Sequence, residues 1–323
     1  MSFNRKHNRQ LITAALIAAP LLVAGCGTDD DTFVQKSSPA TTAQKTTPVA
    51  EPAPAETPTP QPVVEATYEN AEQAFLDARY PEATDLFTRY TDRTPNNPWG
   101  YYMLGLSAWK DGRLDVAEGA FQHSLELDPN HIKSCINLAR VLLDSGRDAE
   151  ALTILDRALA IDATSSAVYR LKGRAYHDMN QIDDAIAAYQ RAIALDPTDA
   201  WSINNLAYVW IEQGRFEEAL PALARAVELR KDVPVFYNNL GMALEHGGHF
   251  VDAAEAYAFA VSLDGTNAKA VTNHDRVAGV REDEYTLPVD LTALARTFEA
   301  TIETWTVATS IAPTDSLLSA EPQ

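Results

Sequence analysis

Cysteine is nearly missing from this sequence: Cys26 and Cys135 are the two in 323 residues, too few for a disulfide framework. Basic charge is short as well. A formal charge of −19 and a pI near 4.7 exclude the basic surface that nucleic-acid binding requires. No hydrophobic run is long enough to stay in a bilayer: the uncharged stretch from Leu11 to Ala24 has 14 residues, where a spanning helix needs roughly 17–25. Catalytic signatures are lacking too, with neither a Gly-rich phosphate loop nor a serine elbow. The His246-Gly247-Gly248-His249 stretch straddles a turn and has no second ligand cluster. His177-Asp178 has no nucleophile at a useful spacing. The chain therefore reads as non-enzymatic and without a cofactor.

What is present begins with an address. Arg5, Lys6 and Arg9 precede the short apolar run, the pattern of a removable secretory signal over residues 1–25. The run ends Leu22-Val23-Ala24-Gly25-Cys26, which resembles the lipobox of bacterial lipoproteins. That resemblance implies lipidation at Cys26 and anchoring by acyl chains, each buried methylene adding about 0.8 kcal/mol. Gly27 rather than Asp after the cysteine resembles lipoproteins sorted to the outer membrane, facing the periplasm. The acidic cluster Asp29, Asp30 and Asp31 leaves surface exposure open. With the signal removed, three basic residues go and the charge becomes −22. From 26 to 66 the chain is rich in Thr, Ala, Pro, Gln and Glu, with almost no large apolar side chain. Such a segment cannot offset its conformational entropy. It is expected to be a tether spanning about 40 Å as a coil and about 120 Å extended.

The next two hundred residues repeat with a period of 34. Gly105, Ala139, Gly173, Ala207 and Gly241 form one series; Ala83, Ala117, Ala151, Ala185, Ala219 and Ala253 form another. Phe87, Phe121, Leu155, Tyr189, Leu223 and Tyr257 keep the same step, and Gly112, Gly146, Asn180, Gly214 and Gly248 recur at a turn. Small residues let two helices approach, large ones fill the space beside them, and the turn position favours positive φ. This pattern resembles the tetratricopeptide repeat. The resemblance implies an all-α, right-handed α-solenoid of about six helix pairs over 67–267. A capping helix and a further helix follow in 268–309, then a disordered tail, 310–323. The first unit is weakly apolar in its first helix and is expected to cap the array with a polar face. Pro221 inside the fifth unit is expected to bend its helix locally.

In tetratricopeptide arrays the first helices line a concave groove. Carried over position by position, the resemblance places Trp99, Tyr102, Lys133, Asn137, Arg140, Arg170, Arg174, Trp201, Asn204, Asn205, Tyr208, Asn238 and Asn239 on or beside it. Lys133, Arg140, Arg170 and Arg174 would form a basic island. Asn137, Asn205 and Asn239 share one helical position, although mid-helix asparagine costs up to roughly 0.7 kcal/mol relative to alanine. Two explanations stand: backbone recognition of an extended peptide, or a polar face that is solvated or bonded to the neighbouring helix. Cys135 falls on the buried stripe and reads as core. Leu171 stands where the chaperone-tail type of groove has a further asparagine, so that specificity is not expected.

The expected function is a membrane-anchored interaction scaffold of the bacterial envelope, binding extended or helical segments of other envelope proteins and no nucleic acid. A pilotin-like assembly factor for type IV pili or secretins is the alternative. The acidic start Glu282-Asp283-Glu284 and the stripe Leu291, Leu294, Phe298, Ile302 and Trp305 predict a C-terminal helix over about 289–306. It is expected either to border the groove or to cap the end of the array.

Overall fold

In a computed structural model the described residues are 65–281 and 286–311, with side chains to 306. The signal, Cys26, most of the tether, the acidic triplet and the tail beyond 311 lie outside them. The described residues form fourteen helices and no strand. Six antiparallel pairs follow one another: α1 (Tyr68–Leu76) with α2 (Tyr80–Arg93), α3 (Pro98–Lys110) with α4 (Leu114–Leu127), and α5 (Ile132–Asp144) with α6 (Asp148–Ile161). Then come α7 (Ser166–Asp178) with α8 (Ile182–Leu195), α9 (Ala200–Glu212) with α10 (Phe216–Leu229), and α11 (Pro234–His246) with α12 (Phe250–Leu263). After them stand α13 (Ala268–Val277) and α14 (Leu291–Ile311).

Every pair turns by the same device. Gly112, Gly146, Asn180, Gly214 and Gly248 all have positive φ, between 58° and 82°. The following residue donates its N–H back to a carbonyl of the helix just ended: Arg113 to Ala108 at 2.8 Å, Gln181 to Tyr176 at 2.7 Å, His249 to Leu244 at 2.9 Å. This closure satisfies carbonyls that a helix end otherwise leaves orphaned. The first unit does the same with Ala78, at φ 57°, a conformation that costs an L-residue roughly 1–2 kcal/mol.

The small and large series meet inside each pair. A Cβ added at Gly105 would lie 2.6 Å from the Phe121 ring; at Gly173 and Gly241 it would lie 2.6 Å from the rings of Tyr189 and Tyr257. Where the first helix carries Ala139 or Ala207, the second carries Leu155 or Leu223 instead. In units two to six glycine thus goes with an aromatic ring and alanine with leucine, a compensation in volume; the first unit departs from it, with Ala71 and Phe87 at the corresponding positions. Tyr189, Tyr257, Phe121 and Leu155 are fully buried.

The ends hold the departures. Thr67 is the N-cap of α1, accepting from Asn70 N–H at 3.2 Å. Tyr68 packs edge-on against Phe87 and Tyr90. α10 stays continuous through Pro221. The C-terminal helix neither borders the first helices nor caps the array. α14 runs to Ile311, beyond the expected end, and lies across the second helices α10 and α8. There it buries Ala295, Phe298 and Ile302 and pairs Glu299 with Arg225 at 2.8 Å. The amphipathic stripe was legible; its docking surface on α8 and α10, where Arg225 meets Glu299, carries no marker in sequence.

Candidate functional site on the first-helix face

The face formed by the first helices divides into an open stretch and a closed one. In units two and three, Trp99 on α3 is 47% exposed, directly after the Asn97 cap whose side chain accepts from Trp99 and Gly100 N–H. Its ring meets Tyr102 edge-on at 5.5 Å and His131 at 4.6 Å, and Lys133 Nζ sits 5.4 Å from its centroid. The ammonium over an indole face is a cation–π contact. His131 is buried; its Nδ1 accepts from Ser134 N–H at 3.2 Å and lies 2.7 Å from Ser134 Oγ, which donates to Ser124 Oγ. Burial pushes the His131 imidazole below its ordinary range. Together these groups offer an aromatic platform beside one cation.

Towards mid-array the face becomes self-bonded. Asn137 Nδ2 donates to the Lys133 carbonyl and its Oδ1 accepts from Arg140 Nη1, both at 2.9 Å. Arg170, 4% exposed, donates to Asp199 Oδ2 at 2.6 Å, and the same oxygen accepts from Ser202 Oγ at 2.6 Å. Arg174 donates to Asp144 at 2.8 Å, and Asp144 also accepts from Trp109 Nε1 at 2.8 Å. Two members of the basic island expected from sequence, Arg170 and Arg174, are therefore paired with carboxylates within the protein, while Arg140 meets the Asn137 amide and Lys133 the Trp99 ring. Asp199 and Asp144 come from neighbouring units about thirty residues away, where a composition count does not reach, and Asp178 stands 3.7 Å from Arg174 on the same helix. Arg170 with Asp199 is a buried pair whose loss on one side only would leave an uncompensated charge.

In units five and six the asparagines hold one another. Asn239 Nδ2 donates to Asn204 Oδ1 at 3.0 Å, Asn273 Nδ2 to Asn238 Oδ1 at 3.0 Å, and the neighbours Asn204 and Asn205 bond at 3.3 Å. The chain joins α9, α11 and α13, and its members Asn204, Asn205, Asn238 and Asn239 are all buried. Asn273 was absent from the sequence-based site. It continues the series Asn205, Asn239 at the same step of 34, so the signal was available. Trp201 is buried edge-on against Phe236 at 4.8 Å, and Tyr208 lies 6.1 Å from the His177 ring. Cys135 is fully buried, its thiol pushed up by burial.

Helix pairs stacked in register, with a turn closed the same way in each, define an all-helical repeat array. Sequence profiles of the tetratricopeptide repeat match residues 108–175 and 204–268, and a further TPR repeat profile matches 173–210. The chain is a tetratricopeptide repeat protein. Among solved structures it is similar to PilW, a widely conserved type IV pilus biogenesis factor, at 19% identity over 63% of this chain and 94% of that one, with a TM-score of 0.56. A thermophilic TPR protein of Thermus thermophilus aligns at 19% identity over 57% of this chain and 100% of that one, TM-score 0.50. The Cut9–Hcn1 hetero-tetramer of the APC/C aligns at 15% identity over 64% and 41%, TM-score 0.58. These likenesses concern the fold. No curated protein matches the chain in sequence. Tetratricopeptide proteins are protein–protein interaction scaffolds that bind peptide segments of their partners.

Proposed function

We propose that this chain is a lipid-anchored scaffold of the bacterial envelope that captures peptide segments of partner proteins on the first-helix face of units two and three. The observation that carries the reading is the half-exposed Trp99, flanked by Tyr102, His131 and Lys133, because an exposed aromatic beside a cation is the composition of an interface anchor. The self-bonded arginines and asparagines of units four to six serve the array's rigidity. The partner segment carries an apolar or aromatic side chain for Trp99 and a carboxylate for Lys133. Anchoring rests on the box ending at Cys26, and the tether sets the array off an outer membrane, towards the periplasm. Assembly of pili or secretins is one process such a scaffold could serve; the PilW likeness supplies its fold.

Two variants test this separately. Cys26→Ser should move the protein from the membrane fraction to the soluble fraction, and a variant that stays in the membrane fraction would overturn the lipid anchor. Trp99→Ala with Lys133→Glu should abolish partner capture from detergent-solubilised envelopes while the helical signal stays unchanged. Undiminished capture by that folded variant moves the site to another surface.

A further inference from the structure

The N-cap residues of α3, α5, α7, α9, α11 and α13 are Asn97, His131, Ser165, Asp199, Val233 and Asn267, at a constant step of 34. Asn, Ser and Asp are the usual choices for that position. Histidine caps with one ring nitrogen and brings a second that capping does not use. His131 Nδ1 accepts from Ser134 N–H at 3.2 Å. A ring nitrogen that accepts from a backbone N–H carries no proton, so the neutral imidazole holds its proton on Nε2. That N–H is buried and has no acceptor among the described residues. The carboxylate that acts on the ring electrostatically, Asp128, holds Asn130 N–H with its Oδ1 at 3.1 Å instead. Buried polar groups without a partner are few in a folded protein, and each asks for a reason.

The surroundings of the imidazole supply one. The rings of Trp99 and Tyr102 lie against it, with centroids at 4.6 and 5.1 Å. His131 is 6% exposed and Trp99 47% exposed, so the indole lies against the imidazole with solvent on part of its own surface. Trp99 stands in the first turn of α3, directly after Pro98, where one side chain can turn without moving a helix. We propose that Trp99 is a hinged cover over His131: a partner segment turns the indole aside, and a carbonyl or carboxylate oxygen of that segment accepts from Nε2–H. This rests on the reading of the Trp99 platform as the peptide site and adds to it a buried hydrogen bond. The ligand class is an acceptor oxygen beside an apolar or aromatic side chain, and Lys133 Nζ, 5.4 Å from the Trp99 centroid, favours a carboxylate. A segment without that oxygen leaves the donor unpaired beneath it, which makes His131 a specificity-determining residue.

Two substitutions separate the two roles of the ring. His131→Asn places an amide oxygen near the position of Nδ1, keeping the cap and removing the Nε2 donor. His131→Gln reaches the position of Nε2 with an amide N–H and gives up the cap. The probe is N-acetyl-L-phenylalanine, with its amide as the uncharged counterpart, titrated into the full chain in detergent and followed by the Trp99 indole and His131 Nε2 magnetic resonances. In the wild type both resonances should shift together. His131→Asn should weaken probe binding about tenfold, equivalent to roughly 1.4 kcal/mol, with a urea midpoint that does not fall. His131→Gln should bind nearly as the wild type does, with a lower urea midpoint. Tighter binding of the acid than of the amide assigns the acceptor to the carboxylate, and equal binding assigns it to the carbonyl. A shift at Trp99 without one at His131, or Asn and Gln variants that bind alike, would overturn the proposal and leave the platform standing; no shift at either residue rejects both.

Discussion

Replacing Gly173 by alanine tests whether volume compensation within each pair sets the repeat. In an isolated helix the change should stabilise, since glycine is about 1 kcal/mol worse than alanine in a helix interior. Here the new methyl would lie 2.6 Å from Cδ1 and Cε1 of Tyr189, about an ångström inside ordinary carbon contact. Tyr189 is fully buried, so its ring cannot swing into solvent, and either α7 or α8 must shift. Overpacking of this kind costs about 1–3 kcal/mol, so after the propensity gain the net loss should be about 1–2 kcal/mol. Tyr189→Leu alone should also destabilise, by leaving space over Gly173. The two together recreate the Ala139–Leu155 and Ala207–Leu223 combinations of the adjacent units. A coupling of about 1–3 kcal/mol should then appear in a double-mutant cycle of urea midpoints. Additive effects, or a Gly173→Ala protein more stable than the wild type, would refute the compensation.

Three further outcomes follow from the same geometry. Ala78→Gly should raise stability by a few tenths to about 1 kcal/mol, because relief of the positive φ exceeds the entropy added to the unfolded chain; calorimetry checks it. Asn239→Ala should cost about 1–3 kcal/mol by leaving Asn204 Oδ1 without its buried donor, and hydrogen exchange should rise in α9 and α11 before α3. For His131 the folded imidazole is held below its unfolded range by burial, so the unfolded state binds the proton first. Stability is full above the ordinary histidine range and is lost as pH falls through the folded value. His131→Asn keeps a capping acceptor, and its urea midpoint should depend less on pH below about 6.5.

The array was legible because a repeat multiplies weak signals: one glycine is noise, but Gly112, Gly146, Asn180, Gly214 and Gly248 at one spacing state a backbone conformation, and all have positive φ. Ala78 escaped that reading because alanine does not announce a left-handed turn. The site was legible as a face and not as a chemistry. Spacing puts Arg170, Arg174 and the asparagines on one side of their helices, but their partners Asp199, Asp144 and Asn273 stand on neighbouring units. Whether a polar group awaits a ligand or already has a partner is a tertiary fact. This also changes which variants are informative. Arg174→Glu would set a carboxylate against Asp144 and disturb packing, whereas Trp99 and Lys133 can be changed at an open surface. For α14, the apolar stripe establishes that one side is buried and leaves the direction of the chain after α13 undetermined.

The central claim is that the open first-helix face around Trp99 is where partners bind. Site-specific photo-crosslinking in intact cells tests it most directly, with the photoreactive residue placed in turn at position 99, at 133 and, on the exposed side of a second helix, at Asp156. The account predicts discrete adducts from 99 and 133 that are absent at 156. Adducts from 156 alone, or equally from all three positions, would contradict it.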